Sequence, residues 1–261
     1  MNASASVIRK AEITLYSYEF SPFAAKVRCF LGFKNLDFET NYVHPLRART
    51  EIPLGHQVPV LRVGDEMKND STPIGFWLDE LYPAPELLPA TGAIRSTLLA
   101  LDDWVTTTLV PLCFRLMLGH GGSLAKRYQN GSIGANGIHR TVTGGYALPL
   151  RLLHPFLVQR APFIREIIEA HDSGRPNREL VRDACDAIVK QLRNSPYLGG
   201  QSSPSLADLS AFAQLAMPYL AGYDDIDEIE RSHELMDWLR RVGSHLPGDA
   251  GLRKDLQRRT L

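Results

Sequence analysis

Ser21 is the residue whose type and position point most directly to chemistry. The apolar residues 13–16 indicate a strand, and Pro22 favours the first turn of a helix running to about residue 35. Serine directly before such a helix is a good N-cap. A helix N-terminus carries partial positive charge and free N–H groups, so it can hold an anion such as a thiolate beside the Ser21 hydroxyl. The alternative interpretation is that Ser21 serves only as a cap.

Two further motifs follow along the chain. The sequence V-P-V-L at 58–61 places Pro59 at the first residue of a predicted strand, where proline is tolerated. Asp70 and Ser71 precede an amphipathic helix predicted over residues 72–82. A carboxylate, a hydroxyl and helix N–H groups at one point can bind the ammonium and carboxylate of an amino acid together, although the pair can also be a plain helix cap.

In this order, the motifs resemble those of the soluble glutathione transferase superfamily, from the first strand to about residue 245. The sequence S-P-F at 21–23 is similar to the catalytic serine motif of tau-type members. V-P-V-L is similar to their cis-proline motif, and the Asp-Ser pair resembles the one that binds the γ-glutamyl group. The resemblance implies glutathione as cofactor and Ser21 as catalytic residue. It also implies a set of glutathione-binding residues: Phe23, Gln57, Val58, Pro59, Asp70 and Ser71.

One departure from related proteins narrows the chemistry. The N-terminal half also resembles the membrane-associated prostaglandin E synthases of the second type, which carry C-P-F-C where this chain has Ser21 and Ala24 at the cysteine positions. Disulfide exchange by a C-x-x-C pair, and attack by a helix-capping cysteine, are therefore excluded at this position. The chemistry that remains possible at this position is activation of the thiol of glutathione itself.

A shorter resemblance links residues 102–115 to bacterial β-etherases, which cleave aryl ethers with glutathione. It is carried by D-D-W at 102–104, V-P at 110–111 and F-R at 114–115. It implies that Phe114 and Arg115 border the electrophile pocket, where the Arg115 cation can hold a substrate anion. The alternatives are core packing for Phe114 and a solvated helix face for Arg115. Proline inside this helical run predicts a kink.

Composition places further limits on function. Lys plus Arg equals Asp plus Glu at 29 each, which gives no indication of a nucleic-acid footprint or of binding to an anionic membrane. The sequence has no run of 18 apolar residues, and its first ten residues lack the apolar core of a secretory signal, so we expect a cytoplasmic protein. Three scattered cysteines indicate reduced, buried thiols. No histidine or cysteine spacing predicts a metal site.

The predicted fold class is a thioredoxin-like α/β domain followed by an all-α domain, which is the glutathione transferase fold. The predicted boundaries are a tail at 1–10, the α/β domain at 11–83, a linker at 84–95 and the all-α domain at 96–261. The predicted strands are 12–17, 38–43, 60–63 and 66–68, and the later helices are 96–118, 162–171, 177–193, 205–220 and 232–242. Eight glycines between Gly119 and Gly145 predict a long loop, either a lid over the electrophile pocket or a surface insertion.

These observations lead to one preferred function and two alternatives. The sequence predicts a glutathione transferase that activates the glutathione thiol for attack on a small hydrophobic electrophile, and the resemblance adds a homodimer. One alternative is glutathione-dependent ether cleavage or isomerisation. The other is a non-catalytic glutathione-binding or scaffold protein.

Overall fold

The computed structural model describes residues 12–170 and 173–261, so the predicted tail at 1–10 lies outside it. Its first part is a four-stranded mixed sheet covered by helices. The strands are β1 (Ile13–Ser17), β2 (Glu39–Tyr42), β3 (Val60–Val63) and β4 (Glu66–Asn69), and the helices are α1 (Pro22–Phe33), α2 (Ala48–Glu51) and α3 (Ser71–Leu81). All four strands and the two longer helices agree with the sequence prediction within two residues. The thioredoxin-like α/β architecture is confirmed.

The strand order β2-β1-β3-β4 explains why distant motifs meet. β1 runs parallel to β2 and antiparallel to β3, which in turn pairs antiparallel with β4. In this register Tyr16 at the end of β1 pairs with Val60, and Val60 pairs with Asn69. The residues that follow β1, precede β3 and follow β4 therefore lie at the same end of the sheet.

The remainder of the described chain is helical. Its helices are α4 (Ala93–Trp104), α5 (Val110–Leu118), α6 (Leu124–Thr141), α7 (Leu148–Leu157), α8 (Pro162–Ala170), α9 (Asn177–Leu192), α10 (Leu206–Ala221), α11 (Asp227–Glu230) and α12 (His233–Gly243). Helix α10 is buried along its whole length and packs against α1. Ser205 and Asp208 form a capping box at its start, and the Asp208 carboxylate also accepts a hydrogen bond from Trp238 Nε1 at 3.0 Å. The central helix thus joins both parts of the fold.

Helices α4 and α5 form one continuous helical stretch through a π-helical segment, Val105–Leu109. Pro111 is the second residue of α5 and lies two residues after the end of the π-helical segment, so the kink predicted from the proline takes the form of a π-helical segment. Within the described residues, the stretch from Ala93 to Leu118 is the one helix long and apolar enough to cross a membrane by length and composition. Half of its most apolar window is buried inside the fold.

The prediction of a long loop between Gly119 and Gly145 is wrong, because residues 124–141 form α6. Three glycines spaced by three residues lie on one face of this helix and allow close packing. A Cβ on Gly131 would lie 2.6 Å from Pro155 of α7, and a Cβ on Gly137 would lie 2.1 Å from the Phe20 ring. Close contact with neighbours therefore outweighs the low helix propensity of glycine. Helix α7, which packs against α6, was not predicted.

Candidate active site

Ser21 lies where the sequence places it, as the N-cap of α1. Its backbone is extended, and its Oγ accepts a hydrogen bond from the Ala24 N–H at 3.3 Å. Ser21 is mostly buried, yet it lines a cleft between the sheet domain and the helices. Within the described residues its hydroxyl donates no hydrogen bond, so the O–H can still donate to a group in the cleft. The predicted cap is confirmed, and the catalytic role stays a prediction.

Buried charges fix the loop that leads into Ser21. Arg28 of α1 donates to the backbone carbonyl of Glu19 at 2.9 Å, and its guanidinium lies 3.8 Å from the Glu19 carboxylate. That carboxylate accepts hydrogen bonds from the Tyr42 hydroxyl at 2.5 Å and from the Arg253 N–H at 3.0 Å. The backbone N–H of Ser21 bonds to the Tyr18 carbonyl at 3.1 Å. The loop is therefore held on both sides before any ligand binds.

The cleft beside Ser21 has a volume of about 560 Å³ and mostly apolar walls. Its sheet-side wall includes Tyr18, Ser21 and Phe23. The helical wall is formed by α5 to α8 and includes Phe114, Met117, Leu118, Leu150, Phe163 and Ile164. Burial and the nearby Glu51 carboxylate raise the pKa of Tyr18, so its phenol stays protonated and is a second possible donor.

The segment before β3 contributes to the same cleft. Gln57 and Val58 line it, and the Val58–Pro59 peptide is cis, as the family resemblance implies. Pro59 itself is buried beneath them. The sequence motif therefore brings Gln57 and Val58 into the lining of the cleft that Ser21 borders.

Asp70 and Ser71 lie at the same end of the sheet but do not line this cleft. The pairing of Val60 with Asn69 puts Asp70 beside Pro59. Asp70 adopts a φ of 69°, which is rare for a residue other than glycine, and its side chain makes no capping hydrogen bond to α3. Ser71 is buried as the first residue of α3. The plain-cap interpretation of Asp70 therefore lacks its defining contact.

A buried polar cluster beneath Ser71 was missed by the sequence analysis. Lys26 Nζ donates to Asp102 Oδ1 at 2.6 Å and to Thr72 Oγ1 at 2.7 Å. The second carboxylate oxygen accepts from the Thr72 hydroxyl at 2.7 Å, and Ser210 Oγ donates to Oδ1 at 2.6 Å. Burial lowers the pKa of Lys26, and the Asp102 carboxylate opposes that shift. These contacts join α1, α3, α4 and α10. Lys26 and Asp102 are 76 positions apart, so no short sequence pattern predicts that they are in contact.

The structure separates the two residues predicted to bind the electrophile. Phe114 lines the cleft, with its ring edge-on to Phe163 at a centroid distance of 6.4 Å. Arg115 is buried outside the cleft lining, where its guanidinium bonds to Asn177 Oδ1 at 3.0 Å and to the Arg175 carbonyl at 3.1 Å. Arg115 therefore neither borders the pocket nor lies on a solvated helix face, the two alternatives that the sequence left open. Its position supports packing of α5 against α9.

The far wall of the cleft holds a polar pair that sequence reasoning also missed. The Tyr146 hydroxyl lies 3.4 Å from His154 Nδ1, and both residues line the cleft. Burial lowers the pKa of His154 to about 4, so its imidazole is neutral at physiological pH. The Tyr146 ring also packs edge-on against His44. The cleft thus offers a neutral hydrogen-bonding group opposite Ser21.

Among the described residues, the cysteines are not suited to nucleophilic catalysis and no cluster of side chains is placed to bind a metal ion. Cys29, Cys113 and Cys185 are all buried, as predicted, and burial raises the pKa of the Cys29 and Cys185 thiols to about 12. Such thiols are poor nucleophiles. Among residues 12–170 and 173–261, no group of three His, Cys, Asp or Glu side chains is placed to hold a metal ion.

Sequence comparison finds a known domain family in the N-terminal part of the chain and two kinds of related enzyme. Residues 15–86 match the family of the glutathione S-transferase N-terminal domain. A probable maleylacetoacetate isomerase from Vibrio cholerae is 37% identical over 108 residues, which cover 38% of this chain and 50% of that protein. Prostaglandin E synthase 2 from Mus musculus is 25% identical over a match that covers 88% of this chain and 69% of that protein. The chain thus spans half the length of the first relative.

Comparison with solved structures extends the likeness to the whole fold. A glutathione S-transferase from Rhodospirillum rubrum F11 superposes with a TM-score of 0.58 at 22% identity, covering 95% of this chain and 93% of that one. The β-etherase LigF from Sphingobium sp. strain SYK-6 gives a TM-score of 0.60 at 21% identity, covering 89% and 95%. Residues 15–86 thus match a glutathione S-transferase N-terminal domain, and the chain as a whole has the fold of these solved structures.

Proposed function

We propose that this protein is a serine-type glutathione transferase that activates the thiol of glutathione for attack on a small hydrophobic electrophile. The observation that carries the proposal is the Ser21 hydroxyl, which caps α1, borders the apolar cleft and retains its own proton for donation. The match of residues 15–86 to the glutathione S-transferase N-terminal domain supports glutathione as the thiol.

The energetics of thiol activation are within reach of this geometry. A free thiol has a pKa near ~8.5, so lowering it by about two units needs about 2.7 kcal/mol of preferential stabilisation of the thiolate. A hydrogen bond from Ser21 to an anion supplies roughly 1.5–3 kcal/mol. The N-terminus of α1 adds up to ~2 kcal/mol in a favourable site. Together the two contributions suffice.

The predicted glutathione-binding residues form a path along the end of the sheet. Phe23, Gln57 and Val58 line the cleft near Ser21, and Asp70 with Ser71 extends the path beyond Pro59. We assign the γ-glutamyl ammonium to the Asp70 carboxylate, because that side chain is exposed and makes no capping bond. The positive end of α3 then faces the γ-glutamyl carboxylate.

The opposite wall defines the electrophile. Phe114, Phe163 and Ile164 give it apolar surface, and His154 gives it one neutral hydrogen-bonding group. We therefore assign a mainly hydrophobic electrophile with a single polar function. Attack gains chiefly from holding the thiolate and this molecule in one water-poor cleft.

A second candidate is isomerisation of an unsaturated substrate with glutathione as a returning cofactor. The 37% identity to the probable maleylacetoacetate isomerase over 108 residues favours it. Both reactions begin with the same thiolate, so Ser21 would have the same role. We extend the proposal to a cytoplasmic homodimer on the family resemblance alone, and light scattering after size-exclusion chromatography tests the dimer.

The decisive experiment compares Ser21→Ala with Tyr18→Phe in a thiol-conjugation assay over pH 6–9. Ser21→Ala should lower turnover at least about tenfold below pH 8, because the hydrogen bond from the hydroxyl to the thiolate is lost. Glutathione affinity should fall less than turnover does. It should cost only about 1 kcal/mol in stability as a lost cap. Tyr18→Phe should keep most of its activity. If Tyr18→Phe loses turnover and Ser21→Ala keeps it, Tyr18 is the donor.

Calorimetry with glutathione separates catalysis from binding. Asp70→Ala should weaken binding by about 1.5–3 kcal/mol, because the ligand ammonium loses its partner. Ser21→Ala is the matched control and, at pH 6, where most of the bound glutathione keeps its thiol proton, should bind nearly as well as the native protein. Tight glutathione binding without turnover on any electrophile or isomerisation substrate would support the non-catalytic alternative.

A further inference from the structure

Helix α7 presents its apolar side to solvent. Leu148, Leu152, Leu153, Phe156 and Leu157 are all exposed, with Leu148 at 63%, Leu152 at 50% and Leu153 at 52%. At about 100° per residue, these five positions and Pro149 fall within one half of the helix circumference. A surface helix normally turns that half toward the protein.

The polar residues of α7 face the protein instead. Arg151 donates to Asn136 Oδ1 of α6 at 2.7 Å, and His154 lies beside the Tyr146 hydroxyl. The outward half therefore contains no polar side chain. Tyr128 of α6 extends the apolar face, with its ring 6.2 Å from that of Phe156. An exposed apolar patch of this kind marks an interaction surface.

The part of the sequence that contains this helix is one-sided in charge. Residues 104–165 contain no Asp or Glu, although the whole chain has equal numbers of acidic and basic residues. The same segment carries seven basic residues: Arg115, Lys126, Arg127, Arg140, Arg151, Arg160 and Arg165. Within the described residues, Arg127, Arg140, Arg151 and Arg160 are not paired with any carboxylate. The zero net charge of the whole chain therefore conceals an excess of basic residues in this segment.

We infer that the outward face of α7 docks onto an anionic lipid surface. Exposed leucines and a phenylalanine can enter the headgroup boundary, and the exposed Arg160, which follows α7 directly, and Arg140 are attracted to negatively charged lipids. A second copy fits less well, because a two-fold contact through this face would oppose two basic surfaces. An in-plane helix of this kind lies on the bilayer and does not span it.

Docking through α7 would also place the cleft mouth at the lipid surface. Leu157 and Phe163 are exposed and line the cleft as well, as does Leu46 on the opposite lip. The apolar face is therefore continuous with the cleft walls. Hydrophobic molecules dissolved in the bilayer would reach the cleft without crossing water.

Co-sedimentation with vesicles tests the inference without reference to catalysis. The native protein should bind vesicles of phosphatidylcholine with phosphatidylglycerol, bind phosphatidylcholine alone less, and release as salt rises. Leu152→Glu combined with Leu153→Glu should lower the partition coefficient at least about tenfold. Ile94→Glu is the matched control, because Ile94 is an exposed apolar residue on α4 that should not matter for binding.

Each outcome decides the question, provided that thermal melting shows both variants folded. Failure of the native protein to bind anionic vesicles, or equal binding by the double variant, overturns the inference. Light scattering is measured in parallel. A native dimer that the double variant converts to monomer would show that the face contacts a second copy, and it would also overturn docking on lipid. Ser21→Ala should bind vesicles normally, so failure of the proposed chemistry leaves this test unaffected.

Discussion

The buried contact between Lys26 and Asp102 offers the sharpest test of how the site is held together. Both side chains are almost completely buried, and Nζ lies 2.6 Å from Oδ1. Asp102→Ala removes the carboxylate and leaves the ammonium with Thr72 Oγ1 as its remaining hydrogen-bond partner among the described residues, and with the Phe30 ring centroid 5.8 Å away. Breaking such a pair from one side typically costs about 3–5 kcal/mol. We expect that loss in the free energy of unfolding.

Urea denaturation at neutral pH measures the loss, and the adjacent residue supplies the control. Asp103 is also an aspartate of α4, but its side chain is exposed. Asp103→Ala should therefore change the free energy of unfolding by less than about 0.5 kcal/mol. The double variant Lys26→Met with Asp102→Ala should be more stable than Asp102→Ala alone, because the unpaired charge is gone.

The pH dependence gives an independent check with a definite sign. Burial lowers the pKa of Lys26, and removing Asp102 takes away the contact that opposes this shift. The folded state of Asp102→Ala then binds fewer protons than the unfolded state below the ordinary lysine pKa. Its stability should therefore rise relative to the native protein between pH 7 and pH 10. A variant as stable as Asp103→Ala at pH 7, with no such rise, would refute the reasoning.

Two further outcomes are expected. The pKa of His154 is about 4 in the folded protein against an ordinary value of 6.5, so the free energy of unfolding should fall as pH drops from 6.5 to 4, by up to about 3 kcal/mol in total. Urea denaturation at a series of pH values measures this for the native protein and for His154→Leu. The two plots of unfolding free energy against pH should differ in slope between pH 4 and 6.5 and run parallel above pH 7. On α6, Gly137→Ala should destabilise by about 1–3 kcal/mol because its Cβ meets the Phe20 ring at 2.1 Å. Gly134→Ala, whose Cβ would meet His154 at an ordinary 3.7 Å, should gain up to about 1 kcal/mol, and thermal melts that rank the two the other way would contradict this packing.

The parts of the site that were predicted correctly depend on local signals. A serine before a proline at a helix start, or a proline at the first residue of a strand, constrains the backbone within a few residues. Ser21 and Pro59 therefore occupy the expected positions. The sheet register then brings Asp70 beside Pro59, as the family resemblance requires.

The parts that were missed depend on partners far along the chain. Arg115 meets Asn177 across 62 residues, and no pattern near Arg115 distinguishes that contact from an open pocket. The glycines of α6 show the same limit. Their spacing is visible in the sequence, but only the position of Pro155 and Phe20 explains why a helix tolerates them.

The bond between the Glu19 carboxylate and the Arg253 N–H has a consequence for synthesis of the chain. The two residues are separated by 234 positions, so the loop before Ser21 emerges from the ribosome long before its partner exists. Gln214, which donates to the Pro22 carbonyl, is also translated late. The strands and α1 can form early, since domains tend to fold from the N-terminus during translation. The loop before Ser21 cannot reach its final arrangement until residue 253 has been added, so nascent chains stopped before that point should carry the sheet domain without a finished candidate site.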